Sequence, residues 1–296
     1  DLPKIYDNWD IDADQHLKMA PVKDRLSRSI TDGPLQFRIR QTYRIGQHSE
    51  LMQDMVFHKN SARIDFETRV DWKEKHSLLK AGFDLNVRSM NMKSDIQFGW
   101  IERPTHRNTS FDAAKFEVCQ HKWSDLSETG YGIAILNDGK YGIGVHQSDM
   151  RISLLKSGGH PDPRGGEGVH TFSYALLPHV GGFSAETVIR EAHQFNHGDT
   201  TQTGALEQEV PSLVTVDQPN VLVESVKQAE DGNGIILRVF EAEGTGVNTT
   251  LDFGRTIQSV EATNMLEDPG DILLQSGQAL DLTFSAFEIK TLRVLG

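Results

Sequence analysis

Histidine and carboxylate side chains carry most of the chemistry that this sequence could perform, and the best-spaced histidines are His193 and His197. On a helix these two imidazoles would lie on one face, as they do in zinc-binding helices. The segment lacks the glutamate that activates water in metalloproteases. Because the dipole at a helix C-terminus favours histidine by itself, we expect a surface pair here rather than a metal site.

Four aspartates near the N-terminus form an acidic run that resembles a calcium-binding loop. The run consists of Asp7, Asp10, Asp12 and Asp14. Counted from Asp10, it lacks both the turn glycine and the bidentate glutamate that such a loop requires. We therefore interpret these carboxylates as solvated charge.

Composition excludes several classes of partner. The 296 residues include 30 Lys and Arg against 42 Asp and Glu, and this net charge of −12 predicts no nucleic-acid partner. No stretch approaches the roughly 20 apolar residues that cross a bilayer, so we expect no membrane insertion. A single cysteine, Cys119, excludes an internal disulfide. Together with an N-terminus that lacks a secretion signal, these features predict a cytoplasmic protein.

Apolar residues recur mostly at every second position, which is the period of half-buried antiparallel strands. In one segment Phe37, Ile39 and Tyr43 share a face, while Arg38 and Arg40 share the other. The same alternation predicts strands at 37–45, 64–70, 83–88, 172–176, 236–240, 249–253 and 282–289. Short strands separated by turn residues indicate an all-β sandwich or barrel.

The clearest turn signal is Asn137-Asp138-Gly139, because these residue types tolerate the positive φ of a tight reversal. It predicts a β-hairpin over residues 133–143. A second glycine-rich segment, 157–168, contains two prolines and five glycines and must run outside any strand ladder. This segment is either a surface crossover between sheets, the interpretation we favour, or a binding loop.

A capping serine and an apolar stripe predict one helix, from Ser184 to Asn196. The polar segment after it indicates a domain boundary. We therefore predict a large β-sandwich domain at 1–183, a bridging helix and linker at 184–212, and a small C-terminal β domain at 213–296.

Residue types suited to sugars are present, but their pattern selects no reaction. Glycoside hydrolysis needs two carboxylates across a sugar site, and 42 acidic residues leave that pair undefined. Aromatic rings can stack on sugars, and the candidates are Trp9, Trp72, Trp100 and Trp123. A tryptophan in a sandwich is more often a core residue.

A long segment, 114–142, closely resembles a signature of the glycoside hydrolase family 38 α-mannosidases. It reads AKFEVCQHKWSDLSETGYGIAILNDGKYG. The resemblance extends through further blocks at 6–12, 154–157, 161–163, 170–179, 221–232 and 287–292. The family's zinc ligands and its aspartate nucleophile lie in an N-terminal α/β domain, and no motif of that domain occurs here. The chain thus resembles the C-terminal β portion of such an enzyme, with the catalytic domain absent.

The resemblance implies a large mutarotase-like antiparallel β-sandwich, or supersandwich, followed by a smaller β-sandwich. It also implies a parent enzyme that hydrolyses terminal α-mannosides of oligosaccharides by a retaining mechanism, with zinc or another divalent metal in the missing catalytic domain. No catalytic or metal-binding residue of the family carries over to this chain, so we expect the chain alone to be inactive. The expected partners are its own N-terminal catalytic domain, a mannose-containing oligosaccharide and a second copy of the chain in a homo-oligomer.

The predicted hairpin and the segment before it are dense in polar and aromatic residues, and we hypothesise that the hairpin packs toward the catalytic domain and lines a sugar cleft. Its candidate substrate-binding residues are Trp123, Asp125, Asn137, Asp138, Lys140 and Tyr141. The alternative is that Asn137-Asp138-Gly139 is only good turn chemistry and that Trp123 belongs to the core. Two other functions stay open: a stand-alone carbohydrate-binding module, and a mutarotase-like epimerase using His121, His146 or His170 with a carboxylate.

Overall fold

The computed structural model describes residues 6–198, 204 and 212–296 and is built mainly from antiparallel strands. The strands are β1 (Arg25–Asp32), β2 (Gln36–Ile45), β3 (Ser49–His58), β4 (Ile64–Trp72), β5 (Ser77–Asp84), β6 (Asn91–Ile96), β7 (Gly99–Pro104), β8 (Val118–Cys119), β9 (Trp123–Ser127), β10 (Tyr131–Asn137), β11 (Gly142–His146), β12 (Asp149–Ser157), β13 (Gly168–Val180), β14 (Thr215–Val216), β15 (Val221–Gln228), β16 (Ile235–Glu241), β17 (Val247–Thr263), β18 (Pro269–Phe284) and β19 (Ile289–Leu295). The helical elements are a 3₁₀ turn (Gln15–Leu17), α1 (Ser110–Ala114), a π-helical turn (Ala185–Ile189) and α2 (Arg190–His197). The predicted all-β fold class, a large sandwich and a smaller one with a single longer helix, is confirmed.

The chain divides into two compact units. The first holds the described residues up to Asp95, then Ile101–Phe183 and Glu191–His197. The second holds Ile96–Trp100, Ser184–Arg190 and the described residues from Gly198 onward. The predicted linker after the helix falls mostly on residues outside the described part, so the domain limits given above stay a prediction.

The large unit is a sandwich of two sheets. A nine-stranded sheet has the order β1-β2-β3-β4-β13-β10-β9-β6-β7, and a four-stranded sheet has the order β5-β12-β11-β8. Side chains from both sheets meet in one apolar core, where Ile135 and Phe172 of the larger sheet join Ile143 and Ile152 of the smaller one. Burying this apolar surface is the main stabilising contribution to the unit.

The segment predicted to be a β-hairpin, 133–143, joins two different sheets instead, so that prediction is wrong. β10 pairs with β9 and β13, whereas β11 pairs with β8 and β12. The tight reversal at Asn137-Asp138-Gly139 is present, and Gly139 has a φ of +129°. Both flanking strands are apolar on the faces that meet in the core, which favours stacking of the strands across two sheets over pairing within one.

Two predicted strands end differently in the structure. The predicted strand at 83–88 is the end of β5, which stops at Asp84, and Leu85 donates its N–H to Ser148 instead of to a ladder partner. The predicted strand at 282–289 is the junction of β18 and β19. There Phe287 takes a φ of +57° and donates its N–H to the buried carboxylate of Glu241, a geometry that no strand can continue.

The predicted helix is confirmed, with helical residues from Ala185 to His197. Ser184 caps it by accepting the Thr187 N–H at 3.2 Å. The apolar stripe is buried at its N-terminal end, and Ala192 continues the buried face in α2. None of the described helices is long and apolar enough to cross a membrane.

The small unit has its own core. Its strands form a sheet in the order β14-β17-β19-β16-β15, and β18 adds to β17. β17 has a break in register between Asp252 and Ile257; the residues before it pair with β14 and β18, and those after it pair with β18 and β19. A strand that changes neighbours at such a break can pair in both sheets of a sandwich.

The glycine-rich segment connects β12 of the smaller sheet with β13 of the larger one, as the crossover interpretation expects. Asp7 holds this loop, so the interpretation of Asp7 as solvated charge is wrong. Its buried carboxylate accepts the N–H groups of Gly159 and His160 at 2.8–2.9 Å and lies 2.7 Å from His76 Nδ1. Two backbone N–H groups aimed at one carboxylate offset the cost of its burial.

Candidate functional site

The six candidate residues lie in the large unit, on β9, on β10 and in the turn that follows β10. We call residues Asn137–Tyr141 the 137–141 turn. Asn137 is buried and builds this turn: its Oδ1 accepts the N–H groups of Gly139 at 3.0 Å and Lys140 at 2.7 Å. Its Nδ2 donates to the carbonyl of His121 at 2.6 Å. All polar atoms of the Asn137 side chain are therefore used within the fold, and the residue shapes the turn.

Asp138 and Lys140 are the charged groups of the turn. Asp138 Oδ2 accepts the Ser173 N–H at 2.8 Å, and Lys140 Nζ lies 4.3 Å from the centre of the Phe172 ring. Desolvation dominates at both sites: it raises the pKa of Asp138 and lowers the pKa of Lys140. Charged groups that are only partly hydrated interact strongly with a polar ligand that replaces water.

Tyr141 is the aromatic residue of the turn, and 54% of its surface is accessible. Its ring lies 5.5 Å from the His121 ring at an angle of 59°. Its carbonyl accepts the Gln120 N–H at 2.8 Å, which fixes the backbone below the ring. A fixed, exposed aromatic ring beside charged groups is a chemically suitable surface for a sugar ring.

Trp123 and Asp125 lie in the interior. Trp123 is fully buried, and its ring stacks on Phe183 with centroids 4.9 Å apart. Asp125 is also buried, and its Oδ2 lies 2.7 Å from His179 Nε2, while its Oδ1 accepts from Ser127 Oγ. Together with Asn137, these residues have almost no surface to offer a ligand. Among the six candidates, Asp138 and Tyr141 are therefore the exposed groups, and Lys140 is half-buried.

Three residues that sequence reasoning missed support this arrangement. His179 pairs with Asp125, and Gly132 leaves the space for that pair, since a Cβ there would lie 2.4 Å from His179 Cε1. Asn196 in α2 donates from Nδ2 to the Asn137 carbonyl at 3.0 Å and so ties the helix to the turn. The local sequence signal for this arrangement is the Gly-x-Gly pattern at 130–132, and it does not identify His179, which is distant in sequence.

The described residues contain no group of three or more His, Cys, Asp or Glu side chains that could hold a metal ion. His193 and His197 do stack, with ring centroids 5.7 Å apart. His193 Nε2 lies 3.4 Å from Lys122 Nζ. Burial, the Lys122 charge and His197 together lower the pKa of His193 to about 4.

The three histidines considered for an epimerase lie in different settings. His121 precedes β9 and contacts Tyr141, while His146 is exposed at the end of β11. His170 Nε2 donates to the Gly166 carbonyl at 2.8 Å, within the glycine-rich loop. That bond gives His170 a structural role in holding its own loop.

Comparison with known families and proteins gives matches along most of the chain. The model of the glycosyl hydrolases family 38 C-terminal domain matches residues 1–164, and that of the glycosyl hydrolases family 38 C-terminal beta sandwich domain matches residues 220–292. Human alpha-mannosidase 2C1 is 38% identical over 306 residues, which cover 99% of this chain and 29% of the human protein. Alpha-mannosidase G of Dictyostelium discoideum is 35% identical, covering 98% of this chain and 28% of its own.

A solved structure shares the fold. The alpha-mannosidase from Enterococcus faecalis V583 superposes with a TM-score of 0.75 at 18% identity, covering 90% of this chain and 35% of the bacterial one. The chain thus spans less than a third of the length of the two relatives named above.

Proposed function

Because the chain belongs to glycosyl hydrolase family 38, whose C-terminal domains it comprises, we propose that it is the β portion of a retaining, metal-dependent α-mannosidase. In this proposal the parent enzyme hydrolyses terminal α-mannosides of oligosaccharides. The two carboxyl groups that such a reaction needs, and the zinc that would hold vicinal hydroxyls, belong to the preceding catalytic domain.

The observation that carries the proposal is the 137–141 turn, which presents Asp138, Lys140 and Tyr141 from a rigid base. The base is β10, whose residues from Gly132 to Asn137 are all buried. Side chains on rigid elements hold a bound ligand in one geometry at little entropic cost. We propose that the turn lines the sugar cleft, where Asp138 and Lys140 exchange hydrogen bonds with hydroxyls and Tyr141 covers a ring face and excludes water.

The first experiment tests whether the chain is catalytic by itself. The 296-residue chain, with zinc added, is assayed with p-nitrophenyl α-mannoside beside the full-length enzyme. We expect no turnover from the chain, because in this proposal the nucleophile and the acid belong to the preceding catalytic domain. Turnover comparable to the full-length enzyme would contradict the proposed non-catalytic role. Measurable mannose affinity of the isolated chain would favour a carbohydrate-binding module instead.

The second experiment tests the sugar-cleft role in the full-length enzyme. Tyr141→Ala should lower kcat/KM by about tenfold or more, because a positioning contact is lost, while the melting temperature stays close to that of the wild type. The matched control is Tyr131→Ala, at the other end of β10, where 38% of the tyrosine surface is exposed. Equal kcat/KM for both variants and the wild type would remove the turn from the cleft.

A further inference from the structure

The outer face of the four-stranded sheet is polar and lies under a groove. On β5, Lys80, Gly82 and Asp84 alternate with apolar residues that enter the core. The groove above has a volume of about 1300 Å³, and a smaller cavity of about 220 Å³ shares several of its side chains. Gly144 shapes this floor, because a Cβ there would lie 2.7 Å from the Phe116 carbonyl oxygen.

Two ion pairs lie at the smaller cavity. Lys80 Nζ contacts Glu117 Oε2, and the exposed fractions of these side chains are 5% and 10%. Arg151 binds Asp149 through Nε at 2.8 Å and through Nη2 at 2.6 Å. The Arg151–Asp149 pair is partly exposed, with 38% and 35% of the two side chains accessible. The Lys80–Glu117 pair is buried, and a buried ion pair contributes little net stability because desolvation offsets the attraction.

Several polar atoms in this cavity lack good partners in the fold. Arg107 has a buried Nε without an acceptor among the described residues. Arg151 Nη1 has as acceptor the thioether of Met19 at 3.0 Å, which is a weak acceptor. Gln15 is buried, and its Oε1 has no donor in the described part of the chain. Buried groups in this state are costly unless something else satisfies them.

Charged side chains of both signs surround the cavity. Arg107, Arg151, Lys80 and Asp149 line it. Glu117 pairs with Lys80, Asp149 pairs with Arg151, and Asp84 adds a further negative charge near Arg151. Two further side chains, His16 and His146, line the same cavity. The guanidinium groups are planar donors that match the geometry of a phosphate or carboxylate.

From these contacts we infer that the smaller cavity binds the phosphate group of a small phosphorylated molecule. Arg107 Nε and Arg151 Nη1 donate to the phosphate oxygens, and Gln15 Oε1 accepts from a hydroxyl of the same molecule. The adjoining larger groove has space for the rest of the ligand. This site does not depend on the sugar-cleft role of the 137–141 turn, and nothing in its test involves glycoside hydrolysis.

Calorimetric titration of the 296-residue chain with inorganic phosphate and with glucose 6-phosphate, at constant ionic strength, tests the site. We expect both probes to bind, and glucose 6-phosphate to bind more tightly if Gln15 accepts a hydroxyl. Glucose without phosphate should give no heat. Equal affinity for the two phosphates would leave the anion site intact and remove the role of Gln15. No binding of either probe at about 10 mM would overturn the proposal.

Arg107→Gln should weaken phosphate binding by about tenfold, since a charge-assisted hydrogen bond is lost. The control is Arg28→Gln, because Arg28 is exposed on β1 and lines neither the groove nor the smaller cavity. Equal weakening by both variants would show general attraction to positive surface charge and would overturn the site. Should Arg107→Gln fail to fold by circular dichroism, His146→Gln is the second variant, and its affinity must also fall below that of Arg28→Gln.

Discussion

The 137–141 turn and the glycine-rich loop at 158–167 join the same two sheets, yet the fold holds them in different ways. Asn137 anchors the turn through bonds to Gly139 and Lys140, two and three residues ahead. The loop is anchored by Asp7, which is 152 residues away from Gly159. Hydrogen bonds within the turn hold its shape, so its side chains can form a fixed surface. The shape of the loop depends instead on a segment that is distant in sequence.

The buried contact between Asp125 and His179 supports the strands beneath the 137–141 turn. Removing it should lower the free energy of unfolding more than the other two substitutions described below. Asp125→Ala removes the buried partner of His179, whose Nδ1 already lacks a partner among the described residues. Leaving a buried hydrogen-bonding group without its partner costs about 1–3 kcal/mol, and Asp125→Ala does this to both His179 Nε2 and Ser127 Oγ, so the free energy of unfolding should fall by about 2–6 kcal/mol. Urea denaturation followed by circular dichroism measures it.

Asp71→Ala is the control for Asp125→Ala. Asp71 forms its pair with Lys73 on the surface at 2.6 Å, and exposed pairs contribute about 0–1 kcal/mol. Similar losses for the two variants would mean that the Asp125–His179 pair is not a special support of β9 and β13.

Asn137→Ala should have the next largest effect. The substitution removes three side-chain hydrogen bonds and leaves the His121 carbonyl without its donor, which should cost about 1–3 kcal/mol. The same urea titration measures this loss, and Asn91→Ala, whose amide bonds Glu102 on the surface, is the control. A loss no greater than that of the control would show that the turn does not depend on its own anchor.

The local anchor is also the part that the sequence could predict. Asn-Asp-Gly predicts a tight reversal, because the Asn137 side chain and the Gly139 backbone satisfy the turn within a few residues. Whether the reversal joins strands of one sheet or of two depends on how they pair with β9, β13, β8 and β12. The residues of the turn do not determine that pairing. A β-hairpin was therefore predicted where the structure has a connection between sheets.

The candidate site shows the same limit. Asp138, Lys140 and Tyr141 could be singled out from their polarity, but buried Asp125 has the same residue type as an exposed carboxylate. Its burial follows from pairing with His179, which comes from β13. Alternation predicted β2, β4, β13, β16 and part of β17, because it is a local property. It failed at 285–288, where the distant Glu241 carboxylate accepts the Phe287 N–H.

Asp7→Asn tests how the glycine-rich loop is held. Of the three substitutions it should lower the free energy of unfolding least, because asparagine keeps one oxygen that can accept the loop N–H groups. The Gly159 N–H is the leading cause that lowers the pKa of Asp7 from 3.8 to about 2. A carboxyl whose pKa is lower in the folded state stabilises the protein above its ordinary pKa and loses this contribution as pH falls toward the folded value. Wild-type and Asp7→Asn proteins are compared by urea denaturation across this range.

The difference in unfolding free energy between these two proteins should be constant near neutral pH and shrink as pH falls from about 4 to about 2. Asp10 is an exposed neighbour whose side chain accepts the Ile11 N–H, so Asp10→Asn should differ little from the wild type throughout. A difference that stays unchanged down to the lowest pH would mean that the ionised Asp7 carboxylate does not hold the loop. The loop would then owe its shape to its own glycines, and the contrast with the self-anchored 137–141 turn would no longer stand.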